Sequence, residues 1–207
     1  MEKILDKLRS NIISNKRMII FFSILIIIGI VTGSLFSVTI SSNDKSLVSN
    51  YLENFFLSIK NGNINYYETL LNALITNSIF IVIIWLLGFS VIGLPMTLFM
   101  YFSKSFSLGF SISSLIMSYK FKGIFYSFFY IIPCQVLYFL AFSILMIYSV
   151  TLSLKLFSAI IKKKSIDFKH IVNRYLFIAL ITFIIIVISS LFESFLMPLL
   201  MKLITFI

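Results

Sequence analysis

Five long apolar stretches alternate with shorter polar or helix-breaking segments along the chain. An α-helix rises about 1.5 Å per residue and needs about 20 apolar residues to cross a bilayer. Each stretch is long enough to meet that requirement. The pattern therefore predicts an all-α, polytopic helical membrane protein with five transmembrane helices, at residues 18–38, 67–89, 95–119, 124–157 and 175–197.

Glycine and proline mark the breaks within this pattern. Gly88 and Gly93 predict a helix-breaking hairpin between the second and third spans. Pro95 suits the first turn of the next helix, where a missing N–H costs nothing. The fourth stretch is longer than one bilayer requires, and Pro133 within it predicts a kink.

Two amphipathic segments flank the first span. Residues 1–17 carry basic side chains and apolar positions on one face, which predicts an interfacial helix on the cytoplasmic leaflet. Residues 39–66 predict an extracytoplasmic segment with an amphipathic helix, ended by Asn61-Gly62-Asn63. This helix either lies flat on the outer leaflet or docks a partner through Tyr51, Phe55 and Phe56. Its apolar positions recur at helical spacing: Leu47, Val48, Tyr51, Leu52, Phe55, Phe56 and Ile59.

Lys104 lies in the middle of the third stretch. A charge at membrane depth costs at least ~2.5–3.5 kcal/mol, so such residues usually face a bundle interior or a water-filled cavity. Three interpretations stay open: a functional charge in a cavity, a buried lysine satisfied by carbonyls, serine hydroxyls or a partner helix, and a side chain that snorkels towards the cytoplasm. At 100° per residue, a polar seam shares its face: Thr97, Ser107, Ser111, Ser114 and Ser118.

Small residues predict close helix crossings. Gly29 and Gly33, continued by Ser37, let a neighbouring backbone approach. A second row lies on another face of the third helix. It suits a close helix crossing and is also a candidate homodimer face. That row consists of Ser105, Gly109 and Ser113.

Three further polar residues lie at membrane depth. Asn77 and Gln135 are amides that we expect to hold helices together. Glu193 lies about 13 Å in depth from Lys104 in a five-span layout, too far for a direct pair. We expect Glu193 nearer the outer interface, bonded to Asn77, the amphipathic helix or a partner.

Composition excludes a soluble fold. The chain is 60% hydrophobic and 12% charged, whereas soluble domains carry about a quarter charged residues. The net charge is +10, but the basic residues cluster beside the spans, which indicates anionic membrane lipids as partners and not nucleic acid. Lysine and arginine number five in the leader and six in the late loop (158–174 with Lys155), against five on the other side. This asymmetry places the N-terminus inside and the tail at 198–207 outside. A four-span arrangement with a re-entrant 95–119 stays open.

No catalytic constellation is present in the sequence. The chain has one histidine, one cysteine and scattered acids, with no HExxH motif or glycine-rich phosphate loop. The sequence also offers no nucleophile spaced to lie beside a general base. We therefore expect no enzymatic activity, no metal and no cofactor.

Four segments together resemble the stage II sporulation protein M family. They are Trp85–Pro95, Lys104–Ser111 with its Gly109, Tyr130–Gln135 and Glu193–Pro198, and Asn77 falls where the family commonly has an asparagine. The chain departs from the family pattern at Ser105, where a glycine is expected, and at Gln135, where asparagine is usual. The resemblance covers nearly the whole chain.

The resemblance implies a role in engulfment during sporulation. Proteins of this family hold a complex with two peptidoglycan-degrading partners, stage II sporulation proteins D and P, at the septal membrane on the mother-cell side. The membrane protein is then a scaffold, and its partners cut the wall. Two other functions stay open: a transporter or permease subunit with a polar cavity around Lys104, and a membrane-remodelling protein.

Overall fold

The structure is a computed structural model that describes residues 16–162 and 168–205. All elements in these two ranges are helical. The predicted leader at 1–17 lies almost wholly outside the described residues. The helices are α1 (Lys16–Thr39), α2 (Ser42–Lys60), α3 (Tyr66–Gly88), α4 (Gly93–Tyr119), α5 (Phe121–Tyr126), α6 (Ile132–Lys162), α7 (Phe168–Leu191) and α8 (Met197–Thr205), with π-helical turns at Ser127–Ile131 and Phe192–Leu196.

Four helical stretches are long and apolar enough to cross a membrane, by length and composition: Lys16–Thr39, Tyr66–Gly88, Phe121–Ile161 and Ile171–Lys202. The chain is therefore an all-helical membrane protein. Helix α4, at the position of the third predicted span, has 27 residues and is not among these four. It falls short of the other four in hydropathy because Lys104 and its serines dilute the apolar residues.

The helices extend beyond the predicted boundaries of the spans. Helix α6 continues to Lys162 and α7 begins at Phe168, so most of the loop predicted at 158–174 is helical. The predicted tail at 198–207 is likewise helical to Thr205, and α4 begins at Gly93, before Pro95. The span boundaries predicted from the sequence lie where the apolar residues end. Lysine and arginine are good helix formers, so the helix continues past that point.

Helices α1 and α4 run side by side in the same direction. A Cβ on Gly33 would overlap the carbonyl oxygen of Phe106, and a Cβ on Gly109 would overlap that of Ile30. Ser37 Oγ donates to Ser113 Oγ at 2.6 Å further along the same interface. The predicted close crossing is present, and both small-residue rows form it.

Helices α3, α6 and α7 pack into the main apolar core. Ile84, Phe142, Leu145 and Ile186 are fully buried there. Tyr175 fixes one end of this core because its hydroxyl donates to the carbonyls of α3 near Trp85. The core leaves one side of α3 and α4 free to border the cavity described below.

Helix α2 lies across one end of the bundle. Its Phe56 and Ile59 are buried against Leu115 of α4 and Met201 of α8. Ser41 caps its start by accepting from the Asp44 N–H at 3.2 Å. Gly62, with φ +73°, turns the chain after the helix, as the Asn61-Gly62-Asn63 stop signal predicts.

Both π-helical turns precede a proline. The Ile132 N–H bonds the Ser127 carbonyl one residue before Pro133, and the Met197 N–H bonds the Phe192 carbonyl before Pro198. Because proline has no N–H, the ladder of hydrogen bonds is interrupted at these points, and a wider turn re-pairs part of the backbone. The kink predicted near Pro133 is therefore realised as a π turn in a continuous helix.

Candidate functional site

A cavity of about 970 Å³ lies beneath α2, between α3, α4 and the start of α6. Helix α2 covers it with Val48, Leu52 and Phe55, and its other walls carry polar side chains among apolar ones. The polar groups on the walls include Glu68, Asn72, Thr76, Asn77, Lys104, Ser107, Ser111, Ser114, Gln135, Tyr138 and Glu193. We call this space the polar cavity.

Lys104 lies at the polar cavity with one direct side-chain acceptor. Its Nζ donates to Asn77 Oδ1 at 3.0 Å, and Asn77 Nδ2 donates to the Ala73 carbonyl at 2.8 Å, which fixes the amide. Aromatic rings surround the ammonium at 5.3–5.9 Å and give cation–π attraction; they belong to Phe80, Tyr138 and Phe142. The lysine is thus held inside the bundle, by an amide and rings and not by the serine hydroxyls that the sequence suggested.

Glu193 lies on the π turn before Pro198 and also lines the polar cavity. Tyr138 donates its hydroxyl to Glu193 Oε2 at 2.7 Å and lies 3.0 Å from Ser190 Oγ. Glu193 and Lys104 are both described, and no ion pair joins them, as expected from their predicted depths. The expected bonds from Glu193 to Asn77 or to α2 are absent from the hydrogen bonds of the described side chains, because Tyr138 takes that place.

Tyr138 is the site residue that sequence reasoning missed. It contacts Lys104 through its ring and Glu193 through its hydroxyl. Its position three residues after Gln135 was the available signal, since residues three apart share a helix face. Its buried hydroxyl also requires a partner.

The polar seam of α4 only partly faces the polar cavity. Ser107, Ser111 and Ser114 line it together with Gln135 of α6. Thr97 instead is buried and donates to the Leu94 carbonyl at 2.8 Å. The middle of the seam therefore lines the polar cavity, whereas Thr97 near the start of α4 bonds a backbone carbonyl of its own helix.

Gly109 lies on the opposite side of α4, against α1. Ser34 Oγ donates to its carbonyl at 3.2 Å, and Ser113 Oγ accepts from Ser37 Oγ at 2.6 Å. The row Ser105, Gly109 and Ser113 therefore packs on α1 of the same chain, and the homodimer stays a prediction.

The hairpin residues hold α3 and α4 at a tight connection. A Cβ on Gly93 would overlap the Leu87 carbonyl, and one on Gly88 would overlap the Tyr175 hydroxyl. Pro95 is exposed in the first turn of α4. These residues shape the connection and do not reach the polar cavity.

The three candidate partner-binding residues differ in exposure. Tyr51 is 74% exposed, whereas Phe56 is 8% exposed and packs on Tyr119 and Tyr126. Phe55 is half-buried against Tyr130. The Phe56 ring holds α2 to the bundle, so Tyr51 is the one of the three that this structure leaves uncovered, and contact with a partner stays a prediction.

The side chains that the structure describes contain no group of three or more histidine, cysteine or acidic residues that could hold a metal ion. The polar cavity contains one ammonium and two carboxylates, and hydrogen bonds and cation–π contacts hold Lys104 and Glu193 in place. Such an arrangement suits binding and helix positioning.

Comparison with known proteins gives one match. No curated protein and no solved structure matches the chain. The model of a protein family described as Stage II sporulation protein M matches residues 18–198, which include every residue that lines the polar cavity. The match covers far more than half of the chain, so the chain belongs to the Stage II sporulation protein M family.

Proposed function

We propose that the chain is a non-enzymatic membrane scaffold of the engulfment machinery. It recruits stage II sporulation proteins D and P and holds these peptidoglycan-degrading partners at the septal membrane on the mother-cell side. Family membership supports the sporulation setting. The observation that carries the scaffold role is α2, a helix docked across one end of the bundle with part of its surface exposed.

The topology that this role requires has five spans. Helix α4 lies parallel to α1 from the Phe22–Tyr101 ring contact to the Ser37–Ser113 hydrogen bond. A helix that accompanies a membrane span along about 20 Å of its length crosses the same hydrocarbon layer. We therefore propose that α4 is the fifth span.

The basic end of the bundle faces the cytoplasm in this proposal. Lys16 and Arg17 begin α1, and the neighbouring Met18 contacts Thr151 of α6. Arg174 of α7 lies against Tyr148 at the same end. The positive-inside rule places this end in the cytoplasm and α2 outside, where the wall and its hydrolases are.

The docking surface that we propose is the uncovered part of α2. Leu47 and Tyr51 are both more than 60% exposed, and they lie beyond the part of the helix that Phe56 and Ile59 fix. Exposed aromatic residues at a rigid site are typical anchors of protein interfaces.

A cross-linking pull-down from sporulating cells tests the scaffold role. We expect the wild-type chain to capture proteins D and P, and Tyr51→Ala to reduce capture several-fold while the chain stays inserted. The matched control is Phe99→Ala, which removes an aromatic ring that is 64% exposed near the other end of the bundle. Equal capture by wild type and Tyr51→Ala would remove α2 as the docking site, and no capture by wild type would contradict the scaffold.

The polar cavity favours a second function, a transporter or permease subunit. Lys104 would then contact a solute that passes through the cavity. Lys104→Met separates the two functions, because a transporter should lose flux and keep its partners. A scaffold should keep its partners without any flux to lose.

A further inference from the structure

The polar cavity carries charges of both signs that do not pair with each other. Lys104 provides one ammonium, and Glu68 and Glu193 provide two carboxylates. The ammonium has three N–H donors, and its hydrogen bond to a described side chain is the one to Asn77. Lys104 therefore keeps donors for a further acceptor.

Glu193 is placed to accept from a further donor. Its Oε2 accepts from Tyr138, and the ring of the same tyrosine lies 5.8 Å from Lys104 Nζ. The ammonium and the carboxylate thus contact one tyrosine side chain, the ammonium over its ring and the carboxylate at its hydroxyl. This wall presents a positive and a negative group at a fixed spacing.

Polar side chains of both α3 and α4 face the polar cavity. Asn72 and Thr76 of α3 and Ser107 of α4 line the cavity and are exposed. Polar side chains exposed at membrane depth are costly unless a polar group covers them. A polar ligand in the cavity would cover them.

We propose that the polar cavity binds the headgroup of a zwitterionic phospholipid, with the phosphate beside Lys104 and the amine beside Glu193. A purely anionic group would meet two carboxylates for one ammonium, and a purely cationic group would meet Lys104. The volume of about 970 Å³ falls within the range of ligand pockets, about 300–1,000 Å³. Lipid binding in the polar cavity is independent of the scaffold function and requires no transport.

Retention of lipid by the purified full chain tests the proposal. Detergent-solubilised protein is incubated with phosphatidylethanolamine or phosphatidylglycerol, and bound lipid is counted by native mass spectrometry. We expect phosphatidylethanolamine to be preferred, and Lys104→Met to reduce its retention about tenfold, because a charge-assisted contact is lost. Glu193→Gln should reduce the preference over phosphatidylglycerol. Soluble phosphoethanolamine should compete, and inorganic phosphate should compete weakly.

Matched controls separate a site from a general surface effect. Lys155→Met and Glu53→Gln remove the same charges at exposed positions and should leave retention unchanged. Ser107→Leu adds a bulky apolar side chain to the α4 wall of the polar cavity without removing either charge and should reduce retention. This variant keeps the proposal testable if Lys104→Met does not fold. Equal retention of both lipids, equal competition by inorganic phosphate, or full retention by Ser107→Leu would overturn the proposal.

Discussion

Single residues decide how this chain keeps a charge inside its helix bundle. Lys104 has Asn77 as its acceptor and three rings around it. Asn77 is 4% exposed and is held in turn by the Ala73 carbonyl. A buried charge that loses its hydrogen-bond partner retains its desolvation cost, so Asn77 is the residue on which the placement of Lys104 depends.

Asn77→Ala should destabilise the chain by about 1–3 kcal/mol, because Lys104 would lose its acceptor. Thermal unfolding of the purified protein in detergent measures the change as a lower midpoint. Asn72→Ala is the matched control, since Asn72 is an exposed amide on the same helix. A midpoint for Asn77→Ala equal to that of Asn72→Ala would show that this hydrogen bond does not hold the lysine.

At the level of elements, the α1–α4 interface organises the bundle. The backbones approach so closely that a side chain at Gly33 or Gly109 would overlap a carbonyl oxygen of the facing helix. Hydroxyls of Ser34 and Ser37 add hydrogen bonds across the same surface. Because each such bond is worth about 0.6 kcal/mol in membranes, contact area and not polarity dominates this interface.

Gly33→Val should therefore push α1 away from α4 and destabilise the chain by about 1–3 kcal/mol or more, the range found for overpacked cores. The expected result is a lower yield of monodisperse protein and a lower unfolding midpoint. Ser23→Val on the exposed face of α1 is the control and should behave like wild type. If Gly33→Val is as stable as Ser23→Val, the close crossing is not present in the membrane.

For the whole molecule, the sequence predicted the class and most helices, since long apolar stretches have few alternative structures. The family resemblance was also confirmed. Helices extend into the segment predicted as a loop at 158–174, because lysine and arginine end a hydrophobic stretch without ending a helix. Tyr138 had a sequence signal in its spacing from Gln135, but its contacts with Lys104 and Glu193 depend on how α4, α6 and the second π turn pack. The burial of Phe56 and the pairing of the Ser105 row with α1 depend on helix packing in the same way, and sequence periodicity does not specify which helix faces meet.

Cysteine labelling of intact protoplasts with an impermeant reagent tests the central claim, that α2 lies outside on a five-span bundle. The background is Cys134→Ser, which removes the buried free cysteine of the described chain. We expect labelling of Ser46→Cys on α2 and of Lys122→Cys after α4, and labelling of Ser90→Cys between α3 and α4 only after permeabilisation. An unlabelled Ser46→Cys in intact protoplasts would contradict the topology and the scaffold role that rests on it.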